Sequence, residues 1–324
     1  MNFQVKLPQE ALSHFAHRAI EKHFRKAMKH EEEVLVDRAP EALHQMRVGL
    51  RRLRTAIQVF GFAAELPKSV SEARIRKFAQ ILGAVRDLDV LQLELTSQAD
   101  LPDTEQKALK QALKKLHHQR SQDFHRLQKT LQSHKYEEFK QSMEDWLALP
   151  KFGAIAQFPI QDVLPDILLP LISSILLHPA WLIGAEFEFD HKVFAPITSE
   201  SIREQLKQDE LLHDLRKQMK RLRYQTELFT DFYREAYKAQ VDEFRQVQEV
   251  LGQIQDSVVL QNFLDKHLDQ SIEKLCPIFS NQLDQKRTIS WKEWRSLQEK
   301  YLDSEFRIRL RQLVLLNDRQ HNEN

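Results

Sequence analysis

Cysteine and glycine are scarce in this chain of 324 residues, which has one cysteine, Cys276, and six glycines. A single cysteine excludes an internal disulfide and a cysteine-rich zinc site, and it favours a reducing compartment. Glycine is used mainly where a turn or a strand bend needs an unusual backbone conformation. The shortage of glycine therefore favours long helices joined by few connections.

Long apolar segments are also scarce. The first fifteen residues lack the apolar core of a signal peptide. Residues 163–184 are the most apolar stretch, but they include Asp166, His178 and three prolines. Their unbroken apolar run is only about 11 residues, whereas a membrane span needs about 20. We interpret the stretch as a buried helix or linker packed between two halves of the protein, and we expect a cytoplasmic protein without a membrane partner.

Sequence patterns typical of enzymes are missing. There is no glycine-rich phosphate loop, no acidic pair with metal-ligand spacing and no visible nucleophile–histidine arrangement. Lys and Arg together number 48, and Asp and Glu together number 47, so the whole chain is close to neutral. Any anion site must then arise from local segregation of charge. We predict a protein that is not an enzyme and needs no cofactor.

What the sequence does contain is a copy of part of itself. Residues 43–60 recur 169 positions later as residues 212–229, and the same offset, without a gap, pairs residues beyond this motif. The pairs include His44 with His213, Arg47 with Arg216, Arg51 with Lys220, Arg52 with Arg221, Arg54 with Arg223, Arg76 with Arg245, Gly83 with Gly252, and Asp87 with Asp256. A repeat of this length predicts a two-fold pseudosymmetric protein in which each half contributes one basic helix.

The basic side chains of each copy share one side of the predicted helix. On a helical wheel they fall within an arc of about 80° that lies beside the apolar face, not opposite it. The first basic stripe consists of His44, Arg47, Arg51 and Arg54, and the second basic stripe of His213, Arg216, Lys220 and Arg223. This position suits the wall of a groove or channel better than a surface that faces bulk solvent.

The stripes concentrate positive charge. Residues 43–60 hold four arginines and no carboxylate, and cations four residues apart on one helix repel each other. A solvated face or salt bridges to other helices are the alternative, but two uncompensated copies favour a bound anion. Arginine matches phosphate oxygens through paired N–H donors, and both motif histidines are candidate donors that would gain charge beside an anion. We interpret Asp87 and Asp256 as carboxylates that orient the motif arginines.

Further cations are candidates for additional anion contacts. They are Arg18, Lys22, Arg25, Arg76, Arg120 and Arg245. A stripe on the fourth helix holds Lys107, Lys110, Lys114, His118 and His125. A stripe on the first helix holds His14, Arg18, Lys22, Arg25 and Lys29. For both of these stripes, a solvated face is an equally good interpretation. Arg120 lies on an apolar face, so it needs an acid or the anion as a partner. No metal site is expected, because cations flank both motif histidines.

Periodicity and breaks give a coarse map of the chain. Helices are expected over residues 9–36, 40–66, 71–97, 104–131, 136–147, 203–233, 236–269 and 290–315, with a very short strand within 186–190. We predict one domain with a first half-repeat 1–150, an irregular connecting segment 151–198, a second half-repeat 199–316 and a polar tail 317–324. Helices joined by short breaks predict an all-α fold of two four-helix-type bundles.

These motifs resemble those of a known family. The pattern H-x-x-R-V-x-x-R-R-L-R begins at His44, H-x-x-R-K-x-x-K-R-L-R begins at His213, and L-G-x-x-R-D-L-D-V begins at Leu82. They are similar to the CHAD family, the conserved histidine α-helical domain, and the resemblance spans nearly the whole chain. The second half departs from the pattern at Gln255, where arginine would stand.

The resemblance implies a fold and a ligand. It implies two pseudosymmetric helical bundles around a basic central groove or pore, and binding of inorganic polyphosphate, with recruitment to polyphosphate granules. The binding residues would be the two basic stripes together with Arg52 and Arg221. The alternatives are a phosphoryl-transfer enzyme that uses His44 or His213, and a nucleic-acid-binding protein. Base stacking is poorly provided for, because Tyr224 is the one aromatic ring among the motif's cations.

Overall fold

The computed structural model describes residues 10–97, 101–188 and 191–315 of the chain. Most of these residues lie in helices, and the one sheet among them has two short strands. The all-α prediction is therefore confirmed. The chain divides into two compact units, a first unit of Met1–Ser97 and Leu113–Leu164 and a second unit of Gln98–Ala112 and Pro165–Asn324. The expected tail, 317–324, lies outside the described residues.

The first unit contains helices α1 to α6 and the start of α7. Their bounds are α1 Leu12–Met28, α2 Glu31–Leu35, α3 Pro40–Phe60, α4 Glu72–Thr96, α5 Asp103–Leu131, α6 His134–Ala148 and α7 Ile160–Leu176. Residues of α5 up to Ala112 and of α7 from Pro165 onward belong to the second unit. The helix expected over residues 9–36 is divided into α1 and α2, because a turn at Lys29 and His30 interrupts it.

The second unit continues with a hairpin and further helices. Their bounds are β1 Ala185–Glu188, β2 His191–Phe194, α8 Ser199–Gln205, α9 Asp209–Glu227, α10 Glu235–His267, α11 Ile272–Leu275, α12 Pro277–Tyr301 and α13 Ser304–Leu315. The strands are antiparallel, with Ala185 opposite Phe194, and β1 contains the strand expected within 186–190 as far as the structure describes it. The helix expected over 290–315 is in fact two helices, α12 and α13.

Helix α12 begins well before the expected position because a distant side chain caps it. The carboxylate of Glu105, buried in α5, accepts hydrogen bonds from the backbone N–H groups of Ile278 and Phe279, both at 3.0 Å. Pro277 occupies the first turn, where a missing N–H costs nothing. The capping carboxylate stands 173 residues before Ile278, so no local sequence window contains it.

The order of helices repeats with the offset found in the sequence. Adding 169 to the bounds of α3, α4, α5 and α6 gives 209–229, 241–265, 272–300 and 303–317. The chain places α9, α10, α11 with α12, and α13 over these ranges. The same step from α1 leads to 181–197, where a short 3₁₀ turn and the hairpin replace a helix. The spatial two-fold relation of the halves stays a prediction.

Helix α3 packs closely against α1. A Cβ added at Gly49 would lie 2.7 Å from the Cα of Ala27 in α1, so glycine is needed for this approach of two backbones. The core-facing side of α3 is apolar and buried, and it consists of Leu43, Met46, Leu50, Leu53, Ile57 and Phe60. The basic side chains lie beside this face, as the helical wheel predicts.

The chain that precedes α8 is held on α12 by aromatic rings and hydrogen bonds. The ring of Trp181 stacks on those of Trp294 and Tyr301 with centroid distances of 5.0 and 4.5 Å. The Nε2 of Gln298 donates to the carbonyl oxygens of Trp181 and Ile183 at 2.7 and 2.9 Å. Each such contact stabilises a fold by about 1 kcal/mol. The segment 151–198, expected to be irregular, is ordered where the structure describes it and contains α7 and the hairpin.

Helix α7 is the most apolar element. With the turn after it, Ile160–Leu182 is the one helical stretch among the described residues that is long and apolar enough to cross a membrane, which by length and composition alone is weak evidence. Buried positions recur every four residues, at Ile160, Leu164, Leu168 and Ile172. Exposed positions recur with the same spacing, at 162, 166, 170 and 174, so one face of α7 is buried and the opposite face is exposed. The interpretation of 163–184 as a buried helix was too broad.

Buried His23 in α1 makes the first unit sensitive to acid. Burial, and then the charges of Arg52, Lys22 and Lys26, lower the pKa of its imidazole from 6.5 to about 4. The unfolded chain binds this proton below pH 6.5 and the folded protein only near pH 4, so the contribution of His23 to the free energy of unfolding is constant above pH 6.5 and falls below it. We expect His23 to account for a loss of about 3 kcal/mol between these pH values.

Urea unfolding at pH 7, 5.5 and 4 measures this loss in the natural protein and in His23→Leu. Leucine cannot bind the proton, so the variant should lose about 3 kcal/mol less over the range, whatever the substitution costs at pH 7. An identical pH dependence of the two proteins would mean that other groups cause the acid sensitivity.

Candidate anion-binding site

Both basic stripes lie at the edge of the buried face of their helices. The half-buried members are His44, Arg47, Arg51 and Arg54 on α3, and His213, Arg216, Lys220 and Arg223 on α9. The next repeated pair differs between the units, because Arg52 is half-buried and Arg221 is exposed. Each unit thus presents its own half-buried band of cations.

One arginine of the first stripe is held on the surface of α4. The Nη2 of Arg47 lies 3.3 Å from Oδ1 of Asp87. One turn earlier in α4, a Cβ placed on Gly83 would lie 3.4 Å from Nε of Arg47, so the guanidinium rests on backbone that this glycine leaves bare. We call this combination of arginine, glycine and aspartate the arginine clamp.

The second unit contains the same clamp. The Nη2 of Arg216 lies 3.7 Å from Oδ1 of Asp256, and a Cβ placed on Gly252 would lie 3.3 Å from Nε of Arg216. The side chains of Arg47 and Arg216 are both 26% exposed. The contacts expected of Asp87 and Asp256 are therefore present. The role of the two glycines was missed, although the repeated Leu-Gly pair was a visible signal.

Other stripe arginines also have carboxylate partners. The Nε of Arg54 donates to Glu72 at the start of α4, and the Nε of Arg223 donates to Glu227 at 2.7 Å. The expectation of uncompensated cations is therefore wrong. Residues 43–60 themselves contain no acid, but α4 brings two carboxylates from beyond that window, those of Glu72 and Asp87. An anion that binds the stripes must compete with these carboxylates.

The histidine of the first stripe lies near three arginines and one acid, Glu41. Burial lowers the pKa of His44 below its ordinary value, and the charge of Arg86 on α4 lowers it further. Arg86 is half-buried and was not among the candidate residues, although the motif that begins at Leu82 contains it. Its counterpart at the 169-residue offset is Gln255, so the first unit has an extra cation near its histidine.

The histidine of the second stripe has a similar environment. Burial lowers the pKa of His213, and the charges of Lys217 and Arg216 add to this effect, while Asp209 and Asp214 oppose it. Both motif histidines therefore favour the uncharged form, and the positive charge of the free site at neutral pH comes from arginine and lysine. A bound anion would reverse this preference by stabilising the imidazolium.

Several of the additional candidates have acidic partners. The ion pairs are Arg18 with Glu10, Arg25 with Glu144, and Arg245 with Asp242 and Glu227. Lys22 and Arg76 are exposed, and within the described part of the chain neither forms an ion pair. Two cations of the first-helix stripe, Arg18 and Arg25, are therefore balanced by acids of the protein, and the choice between a solvated face and ligand contact stays open for the others.

Arg120 uses all three guanidinium nitrogens on carboxylates. Its Nε donates to Asp89 at 2.6 Å, and its Nη1 and Nη2 donate to the two oxygens of Asp37 at 2.8 and 2.9 Å. Asp89 belongs to α4, and Asp37 lies in the turn before α3. The sequence left two kinds of partner open for Arg120, an acid or a bound anion, and in the structure its partners are acids. Arg120 therefore joins α5 to two neighbouring segments.

The donor set of the stripes suits anions. Guanidinium, ammonium and imidazole N–H groups are hydrogen-bond donors, and the first two have no lone pair to offer a metal. Within residues 10–97, 101–188 and 191–315, no group of three or more His, Cys, Asp or Glu side chains is placed to hold a metal ion.

Comparisons with known proteins give the family. The sequence matches the model of the CHAD domain over residues 18–265, which is more than half of the chain. The chain belongs to the CHAD domain family. The matched part of this CHAD domain runs from α1 into α10, and it includes both basic stripes and both arginine clamps.

Solved structures support the same fold. The crystal structure of the CHAD domain from the plant Ricinus communis has a TM-score of 0.58 at 23% identity, covering 89% of this chain and 88% of that one. PptA from Streptomyces chartreusis has a TM-score of 0.56 at 14% identity, covering 89% of this chain and 96% of its own. At these identities the likeness concerns the fold alone. The search of curated proteins found no match.

Proposed function

We propose that this CHAD domain binds inorganic polyphosphate through the basic stripes of α3 and α9, and that it does so without catalysing a reaction. The observation that carries the proposal is the repeated arginine clamp. Arg47 and Arg216 are held in the same way and are equally exposed, so each unit keeps one fixed guanidinium available at its surface. A purely structural salt bridge would not need the bare glycine beside it.

The chemistry of the stripes favours a linear chain of phosphates. Guanidinium groups bind phosphate oxygens through paired N–H donors and stay charged at any physiological pH. From His44 to Arg54 the stripe extends about 15 Å along the helix at 1.5 Å per residue. A chain with a negative charge at every unit can meet several of these cations at once, which compensates for competition from the neighbouring carboxylates. We propose a cytoplasmic protein associated with polyphosphate granules.

Binding is expected to depend steeply on salt and on chain length. Each phosphate that a cation neutralises releases condensed counterions, so the logarithm of the affinity should fall with the logarithm of salt concentration with a slope of several units. Affinity should rise with the number of phosphates until all engaged cations are occupied, because later contacts form at high effective concentration. Titrations with tripolyphosphate and with long chains at several salt concentrations measure both effects.

Three outcomes contradict this proposal. If tripolyphosphate binds as tightly as a long chain, the ligand is a small phosphorylated molecule. If single-stranded or duplex DNA displaces polyphosphate at equal phosphate concentration, the stripes bind nucleic acid. Release of orthophosphate from long chains, or a phosphorylated histidine after incubation with them, would show an enzyme instead of a binding protein.

Polyphosphate affinity should increase as the pH falls below about 6.5, the ordinary pKa of histidine. The pKa values of His44 and His213 lie below their ordinary value in the free protein, and a bound polyanion raises them, so binding takes up protons in acid. Between pH 7.5 and pH 5.5 we expect a gain of about tenfold. The variant His44→Gln/His213→Gln should bind almost equally at both pH values. An equal gain in both proteins would exclude the motif histidines as its source.

A further inference from the structure

We propose that the exposed side of α5 in the first unit is a second polyphosphate-binding surface, separate from the basic stripes. The α5 strip consists of Lys114, Lys115, His118, His125 and Lys129, all of them exposed. On a helical wheel these side chains span an arc of about 100°. The inference rests on the proposed function, because it assigns the same ligand to a new surface.

The α5 strip points away from the rest of its unit. Leu116, Leu127 and Leu131 are buried on the opposite side of the helix. Arg120 lies on that opposite side too, where it donates to Asp89 of α4. The strip is therefore directed away from α4, the helix that carries the first arginine clamp. A ligand on the strip would not share its contacts with a ligand held by that clamp.

The α5 strip has no compensating acids. Over Leu113–Leu131 the one carboxylate is that of Asp123, which accepts from Arg126 at 2.9 Å and lies about 180° from Lys114 on the wheel. Among the residues that the structure describes, none of Lys114, Lys115 and Lys129 forms an ion pair. Lys114 lies about 22 Å from Lys129 along the helix, so the strip presents separated, exposed cations. No acid of the strip balances them, and an external polyanion would neutralise them.

The first-helix stripe shows the contrast. There, both arginines are balanced within the protein, Arg18 by Glu10 and Arg25 by Glu144. A solvated face of the ordinary kind is balanced in this way, with acids interspersed among the bases. The α5 strip departs from that pattern over the whole of its length, about 22 Å from Lys114 to Lys129 at 1.5 Å per residue.

The composition of the strip favours polyphosphate over other polyanions. Its members are lysine and histidine, and its one nearby ring, Phe124, is half-buried beside Arg120 with 5.8 Å between the guanidinium carbon and the ring centroid. Single-stranded nucleic acids are bound largely by stacking of bases on exposed aromatic rings, which the strip lacks. A helix that binds a membrane surface presents apolar side chains beside its bases, and the strip has none. Lysines are compact charges that suit an unbranched chain of phosphates.

Three lysines test the surface. The strip variant is Lys114→Gln/Lys115→Gln/Lys129→Gln, and the matched control is Lys68→Gln/Lys135→Gln/Lys151→Gln, which removes the same charge from exposed lysines of the first unit. The strip variant should bind long polyphosphate about tenfold more weakly, with a log–log salt slope lower by about two units, as expected for three lost phosphate contacts. Tripolyphosphate binding should stay the same, and the control should stay within about twofold for both ligands.

The same substitutions in an Arg47→Gln/Arg216→Gln background separate the two surfaces. Long chains should still bind this background weakly, and the strip substitutions should weaken the remaining binding by a further factor of about ten. If the strip variant and the control bind long chains equally, the strip is not a binding surface, and binding by the natural protein leaves the proposed function intact. If the clamp substitutions have no effect but the strip substitutions abolish binding, the basic stripes are not the binding site and the α5 strip is. The inference would also be overturned if the strip substitutions weakened the binding of DNA but not that of polyphosphate.

Discussion

Replacing Arg47 and Arg216 together with glutamine should weaken polyphosphate binding by about 100-fold, because each hydrogen bond to a charged group contributes about 1.5 kcal/mol or more. Both guanidinium groups are partly exposed and are held by an aspartate and a glycine. Glutamine keeps part of the side-chain length but loses the charge and the fork of donors. Titration of long polyphosphate chains at fixed salt measures the change.

The folded state should tolerate this double substitution. The aspartates that lose these arginine contacts are mostly exposed, and an exposed ion pair contributes about 0–1 kcal/mol to stability. Helicity measured by circular dichroism should therefore stay unchanged. The matched control is Arg38→Gln/Arg309→Gln, which removes one exposed arginine from each unit and should alter affinity by no more than about threefold. Unchanged binding in the clamp variant would refute the site, and lost binding with lost helicity would assign the clamps to structure.

Replacing Arg120 with methionine should lower the free energy of unfolding by about 3–5 kcal/mol, the usual cost of removing one partner from a buried ion pair. The side chain of Arg120 is 18% exposed, and its loss would leave Asp89 buried without a counterion and release Asp37 from its bidentate partner. Methionine keeps much of the apolar stem, so the effect isolates the charge. Denaturant unfolding measures it.

Arg126 offers the matched control on the same helix. Its side chain is 74% exposed, and it pairs with Asp123 three residues earlier. Arg126→Met should change stability by less than about 1 kcal/mol. Polyphosphate binding by folded Arg120→Met should equal that of the natural protein, because the donors of Arg120 are already occupied. If Arg120→Met is folded but does not bind polyphosphate, Arg120 is a ligand contact.

Much of the fold followed from local patterns. Helical periodicity predicted α4, α5, α6 and α10 with ends close to those observed, because an amphipathic helix shows itself in residues only three or four apart. It predicted the start of α3 correctly, but α3 ends at Phe60, six residues before the expected end. The helical wheel likewise predicted that the cations of residues 43–60 border the core, because their angle to the leucines is set by the helix itself. The 169-residue offset predicted the order of helices in the second half.

Other predictions were wrong or missing where the residue that determines the feature lies far away in the sequence. The start of α12 depends on the carboxylate of Glu105, and the attachment of the 3₁₀ turn before β1 depends on Gln298. The first stripe lacks acids in its own helix, but α4 packs beside α3 and brings Glu72 and Asp87 to it. Arg86 was overlooked because the repeat breaks at Gln255, and its influence on His44 acts through space.

The sequence alone determined the helical class of this protein, the repeat, the family and the identity of the cations on each motif helix, since these depend on composition and on short, regular spacings. The tertiary structure decided which cations are held by carboxylates and which stay available. Arg120 is fully engaged by Asp37 and Asp89, whereas Arg47 and Arg216 rest on glycines with one aspartate each. Coulombic and hydrogen-bond partners are chosen by distance between packed helices, and distance in space is not contained in spacing along the chain.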